Sequence, residues 1–284
     1  MSKKISLVLE GGGMRGAYTA GCLSWFIDEG IEFDGAYGIS TGALHLTSFL
    51  LRNRELLKTS STEILPSKEA IGISSIIKEK QLVNYPLLFE RANKVGLDIS
   101  KIKTNTKAKI GLYDLTLGKT IYVPINELTK DLLIAACSLP LLGKVTHYKG
   151  HNYLDGGITK MIPIEESMED GFDKHFIIAT KPLDYVRKPA NGFVVKLMKM
   201  VYKNCPNIGD DYKVRHLNYQ KQISLIKELV NKGDAIYRYP TGEVKVTRLG
   251  GSKEDLIDLF NMGRNDMEAS REEIYKFLTD EKNN

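Results

Sequence analysis

The sequence ISLVL at residues 5–9 runs through Glu10 into the sequence GGGMRG at residues 11–16. The first five residues are apolar strand formers, and a helical pattern of apolar residues follows over residues 14–29. Gly30 stops that pattern, as glycine often does just past the C-terminus of a helix. A strand that turns through glycines into a helix predicts the beginning of a βαβ unit.

The same order is repeated in the next segment, which predicts a parallel sheet and an α/β fold. Residues 33–39 are predicted as a second strand and residues 41–51 as a second helix, with the sequence GISTG at residues 38–42 between them. Further strands are predicted at residues 151–154 and 176–180, hairpins at residues 109–123 and 235–247, and helices at residues 126–137, 192–203 and from Ser252 onward.

Composition and charge exclude several classes of protein. The chain has 284 residues, 42% hydrophobic and 26% charged, which excludes a disordered chain. The net charge of +5 is too small to predict a nucleic-acid binder. No apolar stretch reaches the roughly 20 residues of a membrane-spanning helix, and the N-terminal apolar run ends too early for a signal peptide. Three cysteines without metal-ligand spacing (Cys22, Cys137 and Cys205) predict reduced thiols, so the protein is expected in the cytoplasm.

The glycine-rich sequence at residues 11–16 has three chemical interpretations. Glycines at a helix N-terminus let backbone N–H groups approach a phosphate, a dinucleotide or an oxyanion. A dinucleotide site needs an acidic residue at the end of the second strand, where this chain has Gly38-Ile39-Ser40. A P-loop needs Gly-Lys-Ser/Thr, but Gly16 is followed by Ala17-Tyr18. The dinucleotide site and the P-loop are therefore both disfavoured.

The sequence GISTG lies at the second predicted strand-to-helix junction. GxSxG in this context is typical of a nucleophile elbow, where the flanking glycines Gly38 and Gly42 allow the sharp turn that exposes the Ser40 hydroxyl. The alternative is an ordinary turn in which Ser40 is the N-cap of the following helix. From this motif alone the two interpretations are about equally good.

A serine nucleophile needs a base, which is usually a histidine held by a carboxylate. His45 is too close to Ser40 along the helix to act on it, and we expect it to be a helix residue with its hydrogen bonds satisfied. His147 and His151, with Asp155 nearby, do not have helical metal-ligand spacing, so a zinc site is disfavoured.

Three motifs in this order resemble the patatin-like phospholipases: GGGMRG at residues 11–16, GISTG at residues 38–42 and DGG at residues 155–157. The sequence ACSLP at residues 136–140 also resembles the Ala-Ser-x-x-Pro segment of that family, and Pro163 resembles its following proline. Cys137 stands where that segment usually has serine, a departure that affects no catalytic role. The resemblance covers about residues 4–182 and is closest to the bacterial patatin-like esterases.

The resemblance implies a three-layer α/β/α fold with a mostly parallel central sheet, and a Ser–Asp dyad without histidine. Ser40 is then the nucleophile and Asp155 is the base that accepts its proton. The backbone N–H groups of the glycine-rich loop would form the oxyanion hole. Such a dyad needs no metal and no cofactor. The implied oxyanion-hole residues are Gly11, Gly12 and Gly13, and the residues that support the motifs are Arg15, Gly16, Gly38, Gly42, Gly156 and Gly157.

For Arg15 the preferred interpretation is structural, with its guanidinium paired to a carboxylate or to backbone carbonyls of the loop. The second interpretation is a contact with a phosphate of the substrate.

Alternatives to the dyad remain. A Ser-Asp-His α/β-hydrolase could use Asp155 with His175 or His216, but only 39 residues precede Ser40, fewer than that fold normally needs. A nucleotide-binding protein that uses the glycine-rich loop is a second alternative. A catalytically silent protein that keeps the fold for regulation or scaffolding is a third.

The resemblance divides the chain into a patatin-like catalytic core at residues 1–185 and a helical and hairpin extension at residues 186–284, packed on the core. Residues 185–209 contain five basic residues and no acidic one. A basic amphipathic helix within residues 187–203 could bind peripherally to the cytoplasmic face of an anionic membrane. The preferred interpretation is a helix that packs on the protein with its lysines in water. The expected partner is a lipid or small acyl-ester substrate. The choice of ester and the oligomeric state are open.

Overall fold

A computed structural model describes residues 4–67, 83–205 and 207–279, and in this part of the chain the fold is built on one eight-stranded sheet. The order of the strands is β5-β6-β3-β2-β1-β7-β8, with β4 paired to the other edge of β3. The pairs that involve β1, β2, β7 and β8 are all parallel, and β4, β5 and β6 pair antiparallel. The strands are β1 (Ile5–Leu9), β2 (Gly35–Ile39), β3 (Lys107–Asp114), β4 (Lys119–Pro124), β5 (Thr146–Tyr148), β6 (His151–Asp155), β7 (Lys174–Ile178) and β8 (Ala235–Arg238).

Helices cover both faces of the sheet. The described part of the chain contains α1 (Gly16–Asp28), α2 (Thr41–Leu50), α3 (Arg54–Thr59), α4 (Tyr85–Lys94), α5 (Lys130–Cys137), α6 (Ile164–Glu169), α7 (Gly192–Val201), α8 (Ile208–Asn231), α9 (Lys253–Ala269) and α10 (Arg271–Thr279).

The two faces of β1 belong to two different hydrophobic clusters. Leu7 and Leu9 pack with residues of α1, α2 and α9, whereas Val8 packs with residues of α6 and α8. Alternate residues of a strand point to opposite faces, so a strand covered on both sides must be apolar throughout, as ISLVL nearly is. The predicted three-layer α/β/α fold with a mostly parallel central sheet is confirmed.

The C-terminal part of the chain packs directly on the N-terminal part. A Cβ atom at Gly21 of α1 would lie 2.0 Å from the Phe260 carbonyl oxygen, and one at Gly263 of α9 would lie 2.3 Å from the Tyr18 carbonyl oxygen. Only glycine permits two helix backbones to approach so closely. β8 also extends the sheet beside β7. The division of the chain at residue 185 stays a prediction.

The predicted hairpin at residues 235–247 is wrong. β8 pairs in parallel with β7, and residues 243–247 form no strand. The segment after β8 leaves the sheet and reaches the glycine-rich loop, where the Arg248 carbonyl oxygen accepts a hydrogen bond from the Met14 N–H at 3.0 Å.

Other local predictions are confirmed. β3 and β4 form the predicted hairpin at residues 109–123, and Ser252 and Asp255 form a capping box at the beginning of α9.

No helix in residues 4–67, 83–205 and 207–279 is long and apolar enough to span a membrane.

Candidate active site

Ser40 lies between β2 and α2, in a backbone conformation that is unusual for any residue except glycine. Its φ is 56° and its ψ is −127°. The turn is tight, since a Cβ atom at Gly38 would lie 2.6 Å from the Gly42 carbonyl oxygen. The Ser40 side chain makes no capping hydrogen bond to α2. The sharp turn of a nucleophile elbow is therefore present, and the alternative of Ser40 as a side-chain N-cap is wrong.

The register of β3 brings Asp155 to Ser40. β2 runs parallel to β3 and ends with Ile39 paired to Gly111, whereas β6 runs antiparallel and ends with Asp155 paired to Leu112. The opposite edge of β3 is occupied by β4 at both positions, so β2 and β6 lie on the same edge and approach each other end to end. Ser40, which follows β2, and Asp155, the last residue of β6, consequently lie next to each other.

The Ser40 side chain faces the Asp155 carboxylate closely enough to favour its charged form, and both residues line the same cavity. Asp155 Oδ1 accepts a hydrogen bond from the Gly157 N–H at 2.7 Å. Burial raises the pKa of Asp155 above its usual value, although the Ser40 hydroxyl, the Gly157 N–H and the charges of Arg215 and Arg248 act in the opposite direction. A buried carboxylate with a raised pKa is a better proton acceptor than an ordinary surface aspartate.

The glycine-rich loop lies beside this pair. The Gly11 N–H donates to the Met161 carbonyl oxygen at 3.1 Å, and the Gly12 N–H donates to the Thr41 hydroxyl oxygen at 3.2 Å. No partner is found for the Gly13 N–H among the described residues. Of the three glycines implied by the resemblance, Gly13 is thus the one whose donor is free for a ligand.

A buried ion pair holds the loop from behind. Lys181 donates a hydrogen bond to Glu10 and lies 3.4 Å from the Gly11 carbonyl oxygen. The Thr180 N–H donates to the other Glu10 carboxylate oxygen at 2.7 Å. Burial lowers the pKa of Lys181 to about 7, whereas the adjacent Lys181 ammonium holds the pKa of Glu10 below its usual value against the effect of burial.

Ser40 lies where two cavities of different chemistry meet. One cavity has about 700 Å³ of free space, part of it open to solvent, and its walls are almost entirely apolar. The other has about 610 Å³, also partly open, and contains Asp155 and the glycine-rich loop. Ser40, Gly13, Leu139 and Arg248 line both cavities. Residues on the apolar side include Met14, Leu44, Ile64, Leu88 and Phe89.

Four arginines line the second cavity: Arg15, Arg187, Arg215 and Arg248. Sequence reasoning singled out Arg15 and, as part of a basic stretch, Arg187, but missed the other two. Arg215 belongs to α8 and Arg248 to the segment before α9, and neither stands in a motif. The Nε atom of Arg15 is buried and has no hydrogen-bond partner among the described residues.

The five histidines do not contact Ser40. The Nδ1 atom of His175 lies 2.9 Å from the Ser6 hydroxyl and that of His216 lies 3.2 Å from the Lys213 carbonyl oxygen. Both ring nitrogens of His45 are buried without a partner among the described residues, so the expectation that its hydrogen bonds are satisfied is wrong. His151 Nδ1 lies 2.7 Å from Asp114, not from Asp155. The residues that the structure describes contain no cluster of three potential metal ligands.

Comparison with family models finds a match over the first two of the three motifs. The family model for patatin-like phospholipases matches residues 7–67, which contain both the glycine-rich loop and Ser40. The N-terminal region is patatin-like. Residues 205–279 match a second family model, described as a domain of unknown function (DUF6363).

One curated relative and one solved structure give further likenesses. The chain is 28% identical over 187 residues to a protein of Escherichia coli strain K12 called "Uncharacterized protein YjjU", a match that covers 63% of this chain and 52% of the relative. The match thus spans about half the length of that curated relative. The crystal structure of VipD from Legionella pneumophila matches 96% of this chain and 67% of its own, with a TM-score of 0.46 and 12% identity.

Proposed function

We propose that this protein is a serine hydrolase of acyl esters, in which Ser40 is the nucleophile and Asp155 is the general base. The observation that carries the proposal is the position of the Ser40 side chain against the buried Asp155 carboxylate, in one cavity with the glycine-rich loop. A nucleophile, a base within hydrogen-bonding reach and nearby backbone donors are the groups that acyl transfer requires.

The reaction has two steps. Ser40 Oγ attacks the ester carbonyl carbon while its proton moves to Asp155, and the tetrahedral intermediate collapses as the alcohol leaves with that proton. Water then attacks the acyl-serine and gives a proton to Asp155. Collapse of the second intermediate releases the carboxylic acid and returns the proton to Ser40. Asp155 thus serves as base and as acid in turn.

The oxyanion of each intermediate would be bound by the glycine-rich loop. The Gly13 N–H is the donor without a protein partner, and the Gly12 N–H is held by a long hydrogen bond of 3.2 Å to the Thr41 hydroxyl, which can rotate away. Such donors stabilise the developing negative charge by about 3 kcal/mol each.

The apolar cavity beside Ser40 favours an acyl chain as the part of the substrate that it holds. Burial of a hydrocarbon chain contributes roughly 0.8 kcal/mol for each methylene group that leaves water. A lipid ester fits this cavity better than a short acetyl ester, which supports a phospholipase A or lipid esterase activity and a role in lipid degradation.

The alternative triad is disfavoured by the position of His175. His175 pairs with Ser6, three residues before the end of β1, whereas Ser40 follows Ile39 at the carboxyl end of β2. Three residues of strand span about 10 Å. His216 is bonded to its own helix. The nucleotide alternative is disfavoured because the apolar cavity and the Ser40–Asp155 pair have no role in it.

Labelling with a fluorophosphonate and hydrolysis of p-nitrophenyl esters of increasing chain length test the proposal. Wild-type protein should be labelled and should hydrolyse the longer esters faster. Ser40→Ala should abolish both, and Asp155→Asn should reduce turnover by about a thousandfold or more. His216→Ala, the control, should keep most of the activity. If the wild-type protein is labelled but His216→Ala or His175→Asn is folded and has lost turnover, the triad is restored. Absence of labelling in the wild-type protein would contradict the proposal.

We also propose peripheral contact with an anionic membrane through residues 187–203, in the cytoplasm. Phe193, Met200 and Val201 of α7 are exposed, while Met198 on the same helix is buried. The three cysteines are free thiols, which favours a reducing compartment. Co-sedimentation with phosphatidylglycerol vesicles should fall in Phe193→Ser/Met200→Ser and should be weaker with phosphatidylcholine. Equal, negligible binding to both vesicles would contradict the membrane contact.

A further inference from the structure

The second cavity contains an excess of positive charge beside the nucleophile. Its walls carry the guanidinium groups of Arg15, Arg187, Arg215 and Arg248, together with a single carboxylate, Asp155. The ammonium of Lys181 also reaches this wall, but it is paired with Glu10. The four arginines come from the glycine-rich loop, the segment after β7, α8 and the segment before α9, so the folded chain brings them together from distant positions.

Hydrogen-bond donors of these arginines are unused. The Nε atoms of Arg15, Arg187 and Arg215 are buried, and none of them has a hydrogen-bond partner among the described residues. A buried guanidinium donor without a partner is costly, and most such donors in proteins are paired. Three of them around one cavity indicate a ligand that accepts several hydrogen bonds at once.

Aromatic rings hold two of the guanidinium groups in place. The Arg187 guanidinium lies 4.9 Å from the centre of the Tyr219 ring, and the Arg215 guanidinium lies 5.3 Å from that of Tyr212. A guanidinium stacked on a ring keeps its edge available for a planar, bidentate contact with an anion. The orientation of these donors is therefore fixed before a ligand binds, which reduces the entropy that binding must overcome.

The arginines also repel one another. The charges of Arg187 and Arg248 act on Arg215, and together with burial, the larger cause, they lower the pKa of Arg215 to about 10. Arg215 still carries its charge at neutral pH. A bound dianion would relieve the repulsion and supply acceptors, and phosphate is a dianion that arginine binds in bidentate fashion.

The positions of the two cavities relative to Ser40 indicate which part of the substrate carries the anion. Ser40 lines both the apolar cavity and the arginine-lined cavity, so an ester carbonyl at Ser40 has its acyl chain on one side and its alcohol on the other. We propose that the four arginines form a subsite for a phosphate group on the alcohol part of the ester, and that the preferred substrates are acyl esters with a terminal phosphate. This inference rests on the proposed hydrolase function of Ser40.

Three esters with the same acyl chain test the preference: oleoylglycerol phosphate, monooleoylglycerol and oleoylglycerophosphocholine, all used below their micellar concentrations. Wild-type kcat/KM should be highest for the phosphate monoester, by about tenfold or more over the other two. Arg187→Gln should remove most of that advantage, so kcat/KM for the phosphate monoester should fall about tenfold more than kcat/KM for monooleoylglycerol.

Lys188→Gln is the matched control, since it removes a neighbouring positive charge that does not line the cavity. It should leave all three values unchanged. Equal kcat/KM values for the three esters, or an equal loss on all three in Arg187→Gln, would overturn the phosphate subsite.

Binding without catalysis separates this inference from the proposed function. Calorimetry with glycerol phosphate should detect binding to the wild-type protein and a loss of about tenfold or more in Arg187→Gln/Arg215→Gln. Inorganic phosphate should bind more weakly, as it lacks the glycerol that points toward Ser40. If glycerol phosphate binds but no ester is hydrolysed and no fluorophosphonate label is found, the hydrolase proposal fails and the anion subsite stands. If the esters are hydrolysed but glycerol phosphate does not bind, the subsite fails alone.

Discussion

Ser40 and Asp155 meet because β2 and β6 end at consecutive residues of β3, Gly111 and Leu112, from opposite directions. The pairing of the two side chains is therefore set by the hydrogen-bond ladder of the sheet. A shift of one residue in the register of β6 would turn Asp155 to the other face and separate it from Ser40. The rigid sheet, rather than a loop, holds the proposed nucleophile and the proposed base together.

The backbone at Ser40 stores strain that a pair of variants can measure. Both Ser40→Ala and Ser40→Gly lack the hydroxyl and should be inactive. Because a φ of 56° with a ψ of −127° suits glycine, Ser40→Gly should have a free energy of unfolding about 1 kcal/mol higher than Ser40→Ala. Urea denaturation measures the difference. A less stable Ser40→Gly would show that the elbow is not strained.

Activity should be lost in acid as Asp155 becomes protonated. Only the carboxylate can accept the Ser40 proton, so kcat/KM should fall as the pH drops through the raised pKa of Asp155. The Arg215 charge lowers the pKa of Asp155, and Arg215→Gln should therefore move this acid limb to higher pH.

The acid limb of kcat/KM is measured with an uncharged ester between about pH 4 and pH 8, with the released product quantified by chromatography. Arg187→Gln removes the same charge from the same cavity and serves as the control, with the limb expected close to its wild-type position. An unchanged limb in Arg215→Gln would contradict the assignment of Asp155 as the base.

Gly13 and Gly30 form a matched pair for the glycine-rich loop. Both have a positive φ, 61° and 67°, but a Cβ atom at Gly13 would lie 2.2 Å from the Arg248 carbonyl oxygen, whereas one at Gly30 meets nothing within 4 Å. Gly30→Ala should cost about 1 kcal/mol of stability and leave kcat unchanged. Gly13→Ala should also lower kcat by about a hundredfold, because the loop must move. Equal kcat values in the two variants would remove Gly13 from the oxyanion hole.

The Lys181–Glu10 pair should matter for stability because neither side chain reaches water. Lys181→Met leaves the Glu10 carboxylate buried without its counter-ion, and the free energy of unfolding should fall by about 3 kcal/mol or more. Lys94→Met breaks an exposed pair with Glu90 at 2.9 Å and should cost less than about 1 kcal/mol. Urea denaturation of the two variants gives the comparison. Similar losses would mean that the buried pair contributes no more than a surface one.

The sequence was sufficient for the parts of the fold that depend on local patterns. The apolar run of β1, the glycines after it and the elbow around Ser40 each have a signature within a few residues, and all appear where they were predicted. The capping box at Ser252 is of the same kind. The prediction of a hairpin at residues 235–247 was wrong because the pairing of a strand depends on the whole sheet. β8 pairs with the edge of β7, and this pairing is more favourable than a local hairpin.

The arginine-lined cavity could not be predicted in the same way. Arg187, Arg215 and Arg248 are separated by 27 and 32 residues along the chain, and nothing near any of them marks a site. They come together only because α8 and the segment after β8 fold back over the glycine-rich loop. Glu10 gave a weak signal, as a carboxylate at the end of a buried strand, but its partner Lys181 lies 171 positions away.

The hydrogen bond from the Met14 N–H to the Arg248 carbonyl oxygen has a consequence for biosynthesis. All three motifs have been synthesised once residue 157 is added, yet the loop that carries Gly13 is closed by a residue added about ninety positions later. α9, which packs on α1, is later still. A growing chain therefore contains Ser40 and Asp155 long before the segment that closes the Gly13 loop exists, and any activity of this site has to wait for that segment.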